Sequence, residues 1–165
     1  MPLDPMDYRS IIGHFPTGVT VITTAAGEEM QGMTANAITS LSLDPLMVLV
    51  CIDKDSHTHR VLERGGVFAV NILGAHQEEV SRLFARHAEP ELNSLRGQRF
   101  VLGETGAPIL EDCLAFLECR VAYVHEGGDH SIFLGEVIDG RIMRGDVDPL
   151  VFFRGKYHAL GDVRA

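Results

Sequence analysis

The chain is short of cysteine, cations and long apolar runs, and each shortage removes a class of protein. Its three cysteines, Cys51, Cys113 and Cys119, are odd in number and never form a CxxC pair, which argues against a disulfide framework and the usual zinc spacings. Placed on one strand, Cys113 and Cys119 stand about 20 Å apart at ~3.3 Å per residue, too far for a bridge. They read as small apolar residues in a reducing compartment. Lysine and arginine total 14 against 23 aspartates and glutamates, a formal charge of −9, so neither nucleic acid nor an anionic membrane is an expected partner. The longest apolar run, Leu46 to Ile52, is about a third of the ~20 residues that a membrane helix needs. Asp4 and Asp7 occupy the place where a signal peptide carries basic residues. A cytoplasmic protein is expected.

Known nucleotide and catalytic signatures are missing too. The sequence has no GxGxxG fingerprint, no GxxxxGK(S/T) phosphate loop, no nucleophile elbow and no metal motif. No pair of carboxylates is marked out for acid–base work. Any nucleotide bound here must be held by other means, and these absences fit a cofactor that performs the chemistry while the protein orients it.

What is present is a strand-rich chain of 165 residues, enough for one domain spanning 1–165. Tyr8, Ile11, Ile12 and Phe15 recur at helical spacing before Pro16 stops the pattern. Strand signals follow at Val19–Thr24, Gly32–Ala37 and Ile38–Leu43. Leu46–Ile52 has the uninterrupted apolar character of a fully buried strand, and Val67–Leu73 resembles it. Two helices interrupt: one capped by Asp55 or Ser56 and ending at Gly65-Gly66, the other over about His76–His87 with Val80, Leu83, Phe84 and His87 on one face. The pattern weakens between Glu89 and Pro108. Ala115 to Tyr123 then alternates, with Phe116, Glu118, Arg120 and Ala122 predicted on a wet side. Ser131–Ile142, Leu150–Phe153 and Lys156–Leu160 complete a mainly β chain, expected to form a β-barrel with a few helices.

Three polar groups stand out. Gly32 to Leu43 interleaves small, hydroxyl and amide side chains, so a flat ligand can approach the backbone while Thr34, Asn36, Ser40 and Ser42 offer uncharged hydrogen bonds. In an extended segment Ser40 and Ser42 share a face. A strand-to-turn passage bonded to its own backbone is the competing reading. Asp55-Ser56-His57-Thr58-His59 opens a helix and suits a phosphate, with solvated histidines behind an N-cap as the plain alternative. Gly127-Gly128-Asp129-His130 presents an imidazole at a strand entrance, fit to bind a carboxamide or pyrophosphate, or is simply a hairpin loop. Asn71 is an expected buried amide needing partners. Gln77, Ser81, Arg82 and Phe84 share a helix that can offer an arginine to a phosphate.

In their order, these motifs resemble the flavin reductase-like family, the short reductase components of two-component flavin monooxygenases. The segments are Phe15-Pro16-Thr17-Gly18-Val19, Gly32-Met33-Thr34-Ala35-Asn36-Ala37 and Ser40-Leu41-Ser42. Ser56 with Thr58, Phe68 to Leu73, Gln77 with Ser81 and Phe84-Ala85, Gly128-Asp129-His130, and Phe153-Arg154-Gly155-Lys156-Tyr157 complete the series. Where the family commonly has two prolines, this chain has Pro45-Leu46.

The resemblance implies an FMN-binding split β-barrel homodimer that passes hydride from NADH or NADPH to FMN or FAD, often for a partner monooxygenase. It implies that Thr34, Ala35, Asn36, Ser40, Leu41 and Ser42 line the flavin. Asp53, Ser56, His57, Thr58, Asn71, Ser81, Arg82 and Phe84 join the cofactor site, with Phe153 and Tyr157 near the ring and His130 on the nicotinamide. A flavin-binding sensor or carrier without turnover is the main alternative; an oxidase of a pyridoxamine phosphate and a haem-binding relative are others.

Overall fold

The computed structural model describes residues 2–86 and 95–162. Helix α1 (Pro5–Ile12) is started by Asp4, whose carboxylate accepts the Met6 N–H at 2.6 Å. The expected apolar stripe is there but has no cover: none of its residues is buried, and Ile11 and Phe15 are 62% and 70% exposed. Strands β1 (Thr17–Gly18), β2 (Thr20–Ala26), β3 (Glu29–Ala35), β4 (Ile38–Leu43) and β5 (Leu46–Asp53) follow. Helix α2 (His57–Gly65) begins at Ser56, whose side chain accepts the His59 N–H, and ends at Gly66 in the left-handed conformation that glycine favours. After β6 (Val67–Ile72), a single 3-10 turn (Ala75–Gln77) leads into the short α3 (Glu78–Phe84). His87 lies outside the described residues.

Two strands unexpected from the sequence, β7 (Phe100–Leu102) and β8 (Pro108–Leu110), pair as a hairpin. A long hairpin of β9 (Ala115–Gly127) and β10 (His130–Ile142) and a short one of β11 (Val151–Phe153) and β12 (Lys156–His158) close the chain. Among the described residues no helix is long and apolar enough to cross a membrane.

Seven strands form one antiparallel sheet in the order β3-β2-β6-β9-β10-β5-β4. Its two edges, β3 and β4, are joined by Asn36 and Ala37 alone, so the sheet must coil until the edges meet there. The edges are not hydrogen-bonded to each other, and the sheet is not closed. Inside the coil lie Ile22, Val48, Val50, Ile52, Phe68, Val70 and Phe133, with Leu62 of α2 entering from one end. A second cluster, including Val21, Ala69, Phe84, Ile109, Leu110 and Phe116, packs on the other face. β2 and β6 sit between the clusters and are buried on both sides.

That arrangement corrects two expectations. β5 is not a fully buried strand: Val48, Val50 and Ile52 are buried, while Met47, Leu49 and Cys51, which alternate with them, are half-buried. It lies next to an edge, with one face toward the coil. The presumed wet side of β9 is dry at its start, because the β7–β8 hairpin covers it. Phe116 is 5% exposed and Glu118 is 0% exposed. Glu118 is kept there by the backbone N–H groups of Glu104 and Thr105 and by the Thr105 hydroxyl, all donating to its carboxylate.

Candidate functional site

The turn of chain that joins β3 to β4 is also the floor of a groove. Thr34, Ala35, Asn36, Ala37 and Ile38 run along it in sequence, and three concavities open over them. The first, about 210 Å³, reaches Thr34 from the N-terminus of α2. The second, about 160 Å³, holds Thr34, Ala35 and Asn36 against Ser81 and Tyr157. The third, about 450 Å³, continues from Asn36 and Phe152 to Ile12, Phe15 and Ile38. Thr34 and Ala85 are common to the first and second, and Asn36 and Phe152 to the second and third, so the three lie side by side. Small residues on the floor are what permit it: Gly32, also in the first section, already has the Phe84 ring 2.9 Å from where a Cβ would stand.

The first section is cationic. Arg60, Arg86 and Arg96 line it with His57, Thr58 and Ser56. Burial, and then the neighbouring Arg86 charge, pull the Arg96 guanidinium below its ordinary pKa. Two of its nitrogens donate to the carbonyls of Leu83 and Arg86, while its Nε is buried with no hydrogen-bond partner among the described residues. Two arginines that repel each other beside a helix N-terminus, one with an unmet donor, fit an anion such as a phosphate. Two carboxylates, Asp53 and Asp55, also line this section, and the Asp53 carboxylate accepts the Asp55 N–H at 2.9 Å. His57 Nε2–H donates to the Glu29 carboxylate at 2.6 Å, and Arg64 also contacts Glu29, so that carboxyl is held below its usual range first by Arg64 and then by His57.

The middle is narrow and pinned. Ser81 Oγ and Tyr157 Oη are 2.7 Å apart, and the Thr34 hydroxyl donates to the Ser81 carbonyl at 2.6 Å. The third section is apolar but includes Arg9, Asn36 and Thr17, whose hydroxyl is buried without a partner among the described residues. An elongated ligand with an anionic end, a polar middle and a flat apolar end matches this sequence of environments.

The structure thus gathers Thr34, Ala35, Asn36, Asp53, Ser56, His57, Thr58, Ser81, Phe84 and Tyr157 on one groove. Others stand apart. Asn71 is wholly buried. It donates to the Val21 carbonyl and the Thr23 hydroxyl and accepts the Leu110 N–H, so its amide is committed to joining strands. A bulge at Leu41 pairs Ser40 and Ser42 with consecutive residues, Val48 and Met47, so they lose the shared face of a regular strand. They border a different, apolar groove with Leu46 and Met47. Arg82 is bound to Glu78 and lies over the Tyr157 ring at 4.8 Å to its centroid. Phe153 contacts His14 and His158 edge-on, and its neighbour Phe152 is the one in the groove. His130 begins β10 opposite Asp53, with Nδ1 2.7 Å from the Asp129 carboxylate.

Sequence reasoning missed Arg60, Arg86, Arg96 and Phe152. Arg60 was within reach of it, one helical turn after the Ser56 cap. Arg96 follows a stretch without periodicity and gives no local signal. The two histidines of α2 part company, His59 turning to Ser131. Among the described residues no group of His, Cys, Asp and Glu could hold a metal.

Residues 12–161 match the model of the flavin reductase like domain. The NADH-dependent FAD reductase of Streptomyces globisporus is 48% identical over 139 residues, 83% of this chain and 76% of that protein. The reductase subunit HsaB of a flavin-dependent monooxygenase from Mycobacterium tuberculosis is 38% identical over 156 residues, 94% of this chain and 82% of that one. Among solved structures, the Streptomyces globisporus C-1027 NADH:FAD oxidoreductase SgcE6 superposes with a TM-score of 0.90 at 41% identity, covering 98% of both chains. The same oxidoreductase in complex with NAD and FAD fragments superposes with a TM-score of 0.87 over 98% of this chain and 97% of that one.

Proposed function

We propose, from the premise that this chain belongs to the flavin reductase like family, that it is an NADH-dependent flavin reductase supplying reduced FAD or FMN to a partner monooxygenase. The observation that carries the reading is the groove: cationic at one end, pinned in the middle, broad and apolar at the other. When flavin and reduced nicotinamide are both bound, the flavin ring accepts a hydride, so no protein side chain has to form a bond.

The chain's own residues bind and orient. Arg60, Arg86 and Arg96, with the free N–H groups at the start of α2, hold the flavin phosphate. Ala35 and its small neighbours let the ribityl chain lie close to the backbone beside Ser81 and Tyr157. Ile12, Phe15 and Phe152 exclude water from the ring, and His130 orients the nicotinamide nucleotide.

The finer points of this reading are a split β-barrel, a homodimer and a cytoplasmic location. The coiled sheet supports the first. The uncovered apolar side chains of α1, together with Leu43 and Leu46 at 84% and 52% exposure, suit burial against a second copy. Unbridged thiols at Cys51, Cys113 and Cys119 suit a reducing compartment.

The test is NADH and NADPH oxidation by the purified protein, with and without added FMN or FAD. Consumption should rise and saturate with added flavin, faster with NADH. Flavin binding by fluorescence quenching without NADH or NADPH consumption would overturn the reading in favour of a carrier or sensor.

A further inference from the structure

The turn between β5 and α2 faces two ways. Asp53, Asp55 and Ser56 line the cationic end of the groove, whereas Lys54, between them, is not among the lining residues. Its backbone N–H donates to the Asp129 carbonyl at 3.0 Å. Its ammonium donates to the Gly128 carbonyl at 2.8 Å and contacts the Glu126 carboxylate. Three residues beyond the Ser56 cap, His59 Nε2 meets the Ser131 hydroxyl at 2.8 Å, both side chains being buried. The tip of the β9–β10 hairpin is therefore gripped at Gly128, Asp129 and Ser131 by the segment that also forms the phosphate end. His130 is the residue between the grips.

We infer that Lys54 is a positioning residue for His130, fixing where the imidazole stands and joining the flavin-phosphate end of the site to the nicotinamide end. The role given to His130 rests on the reductase reading above; the grip itself is a property of this chain alone. Of the two ammonium contacts, the one to Glu126 is the weaker. That side chain is 85% exposed, and such a pair is screened by solvent and salt. The bond to the Gly128 carbonyl is charge-assisted and holds the main chain of the tip.

The experiment compares wild type with Lys54→Met, Lys54→Arg, Glu126→Gln, His130→Ala and the Lys54→Met/His130→Ala double variant. Two readouts are used: steady-state kinetics with flavin affinity, and amide hydrogen exchange at residues 129–131. Lys54→Met should raise the KM for NADH about tenfold, the scale of a displaced orienting group, while flavin Kd changes less than about twofold. Exchange at the tip should quicken about tenfold. Lys54→Arg should restore most of both, Glu126→Gln should stay within about twofold of wild type, and the double variant should be no worse than His130→Ala.

Unchanged exchange in folded Lys54→Met overturns the inference, as does an equal loss of flavin affinity or an additive double variant. If wild type oxidises neither NADH nor NADPH, the reductase reading fails, and exchange at the tip still decides whether Lys54 holds it.

Discussion

Ser81 and Tyr157, 76 positions apart in the chain, share a hydroxyl–hydroxyl hydrogen bond of 2.7 Å across the middle of the groove. It joins α3 to the C-terminal hairpin. Thr34, donating to the Ser81 carbonyl, extends the link to β3. The narrowest part of the site is thus assembled from three distant pieces of sequence.

Tyr157→Phe keeps the aromatic wall and removes one partner of that bond. The hydroxyl of the buried Ser81, left unmet, costs about 1–3 kcal/mol, so urea unfolding should shift to lower denaturant by that amount. Adding Ser81→Ala removes the orphan. The double variant should therefore be less destabilised than the sum of the two single changes.

Arg96→Gln tests the phosphate end. Loss of a charge-assisted contact worth about 1.5–3 kcal/mol should weaken FMN binding roughly ten- to hundredfold. Riboflavin, which lacks the phosphate, should bind wild type and variant about equally in the same fluorescence titration. Equal losses for FMN and riboflavin would point to a collapsed groove instead of a missing anion contact.

Glu118 is a structural carboxylate. Replacing it with Ala strands the N–H groups of Glu104 and Thr105, at about 1–3 kcal/mol each, and should lower the melting temperature substantially. Gly103→Ala attacks the same place from the other side, since its Cβ would stand 2.4 Å from the Glu118 carboxyl carbon. Calorimetry of both variants checks this.

Acid should weaken the Glu29 cluster. Arg64 first and His57 second lower the Glu29 pKa from an ordinary 4.5. A depressed carboxyl pKa contributes stability that is present above the unfolded value and lost as pH falls through the folded one. The stability gap between wild type and Glu29→Gln should therefore be flat from neutral pH down to about 5, and close below 4.5. Urea titrations of both proteins across that range are the measurement.

Much of the fold is legible in local sequence. Ser56 and Gly66 delimit α2 where cap chemistry puts them, and Gly128-Asp129 breaks the β9–β10 hairpin as expected. Thr34, Ala35 and Asn36 stand out because small and polar residues are rare in strands otherwise built of large aliphatics. The failures have physical reasons. Apolar content alone does not tell a half-buried edge-side strand from a doubly buried one, so β5 reads as more buried than it is. Glu118 reads as wet because nothing local shows that the hairpin of β7 and β8 covers it. A bulge of one residue at Leu41 leaves no compositional mark, yet it undoes the shared face of Ser40 and Ser42.

By itself the sequence determined the kinds and order of the elements, the absence of familiar nucleotide loops and the family's motif series. These depend on periodicity, capping and turn chemistry within a few residues. The tertiary structure alone decided that Arg96 lines one cavity with Arg60 and Arg86, that Tyr157 meets Ser81, that Asn71 serves the sheet and that Lys54 grips the hairpin before His130. Those meetings follow from the strand order β3-β2-β6-β9-β10-β5-β4 and the coiling that brings the end of β3 to the start of β4. Which side chains converge is set by burying two apolar clusters on opposite faces of one sheet, a condition on the whole chain that no short segment carries.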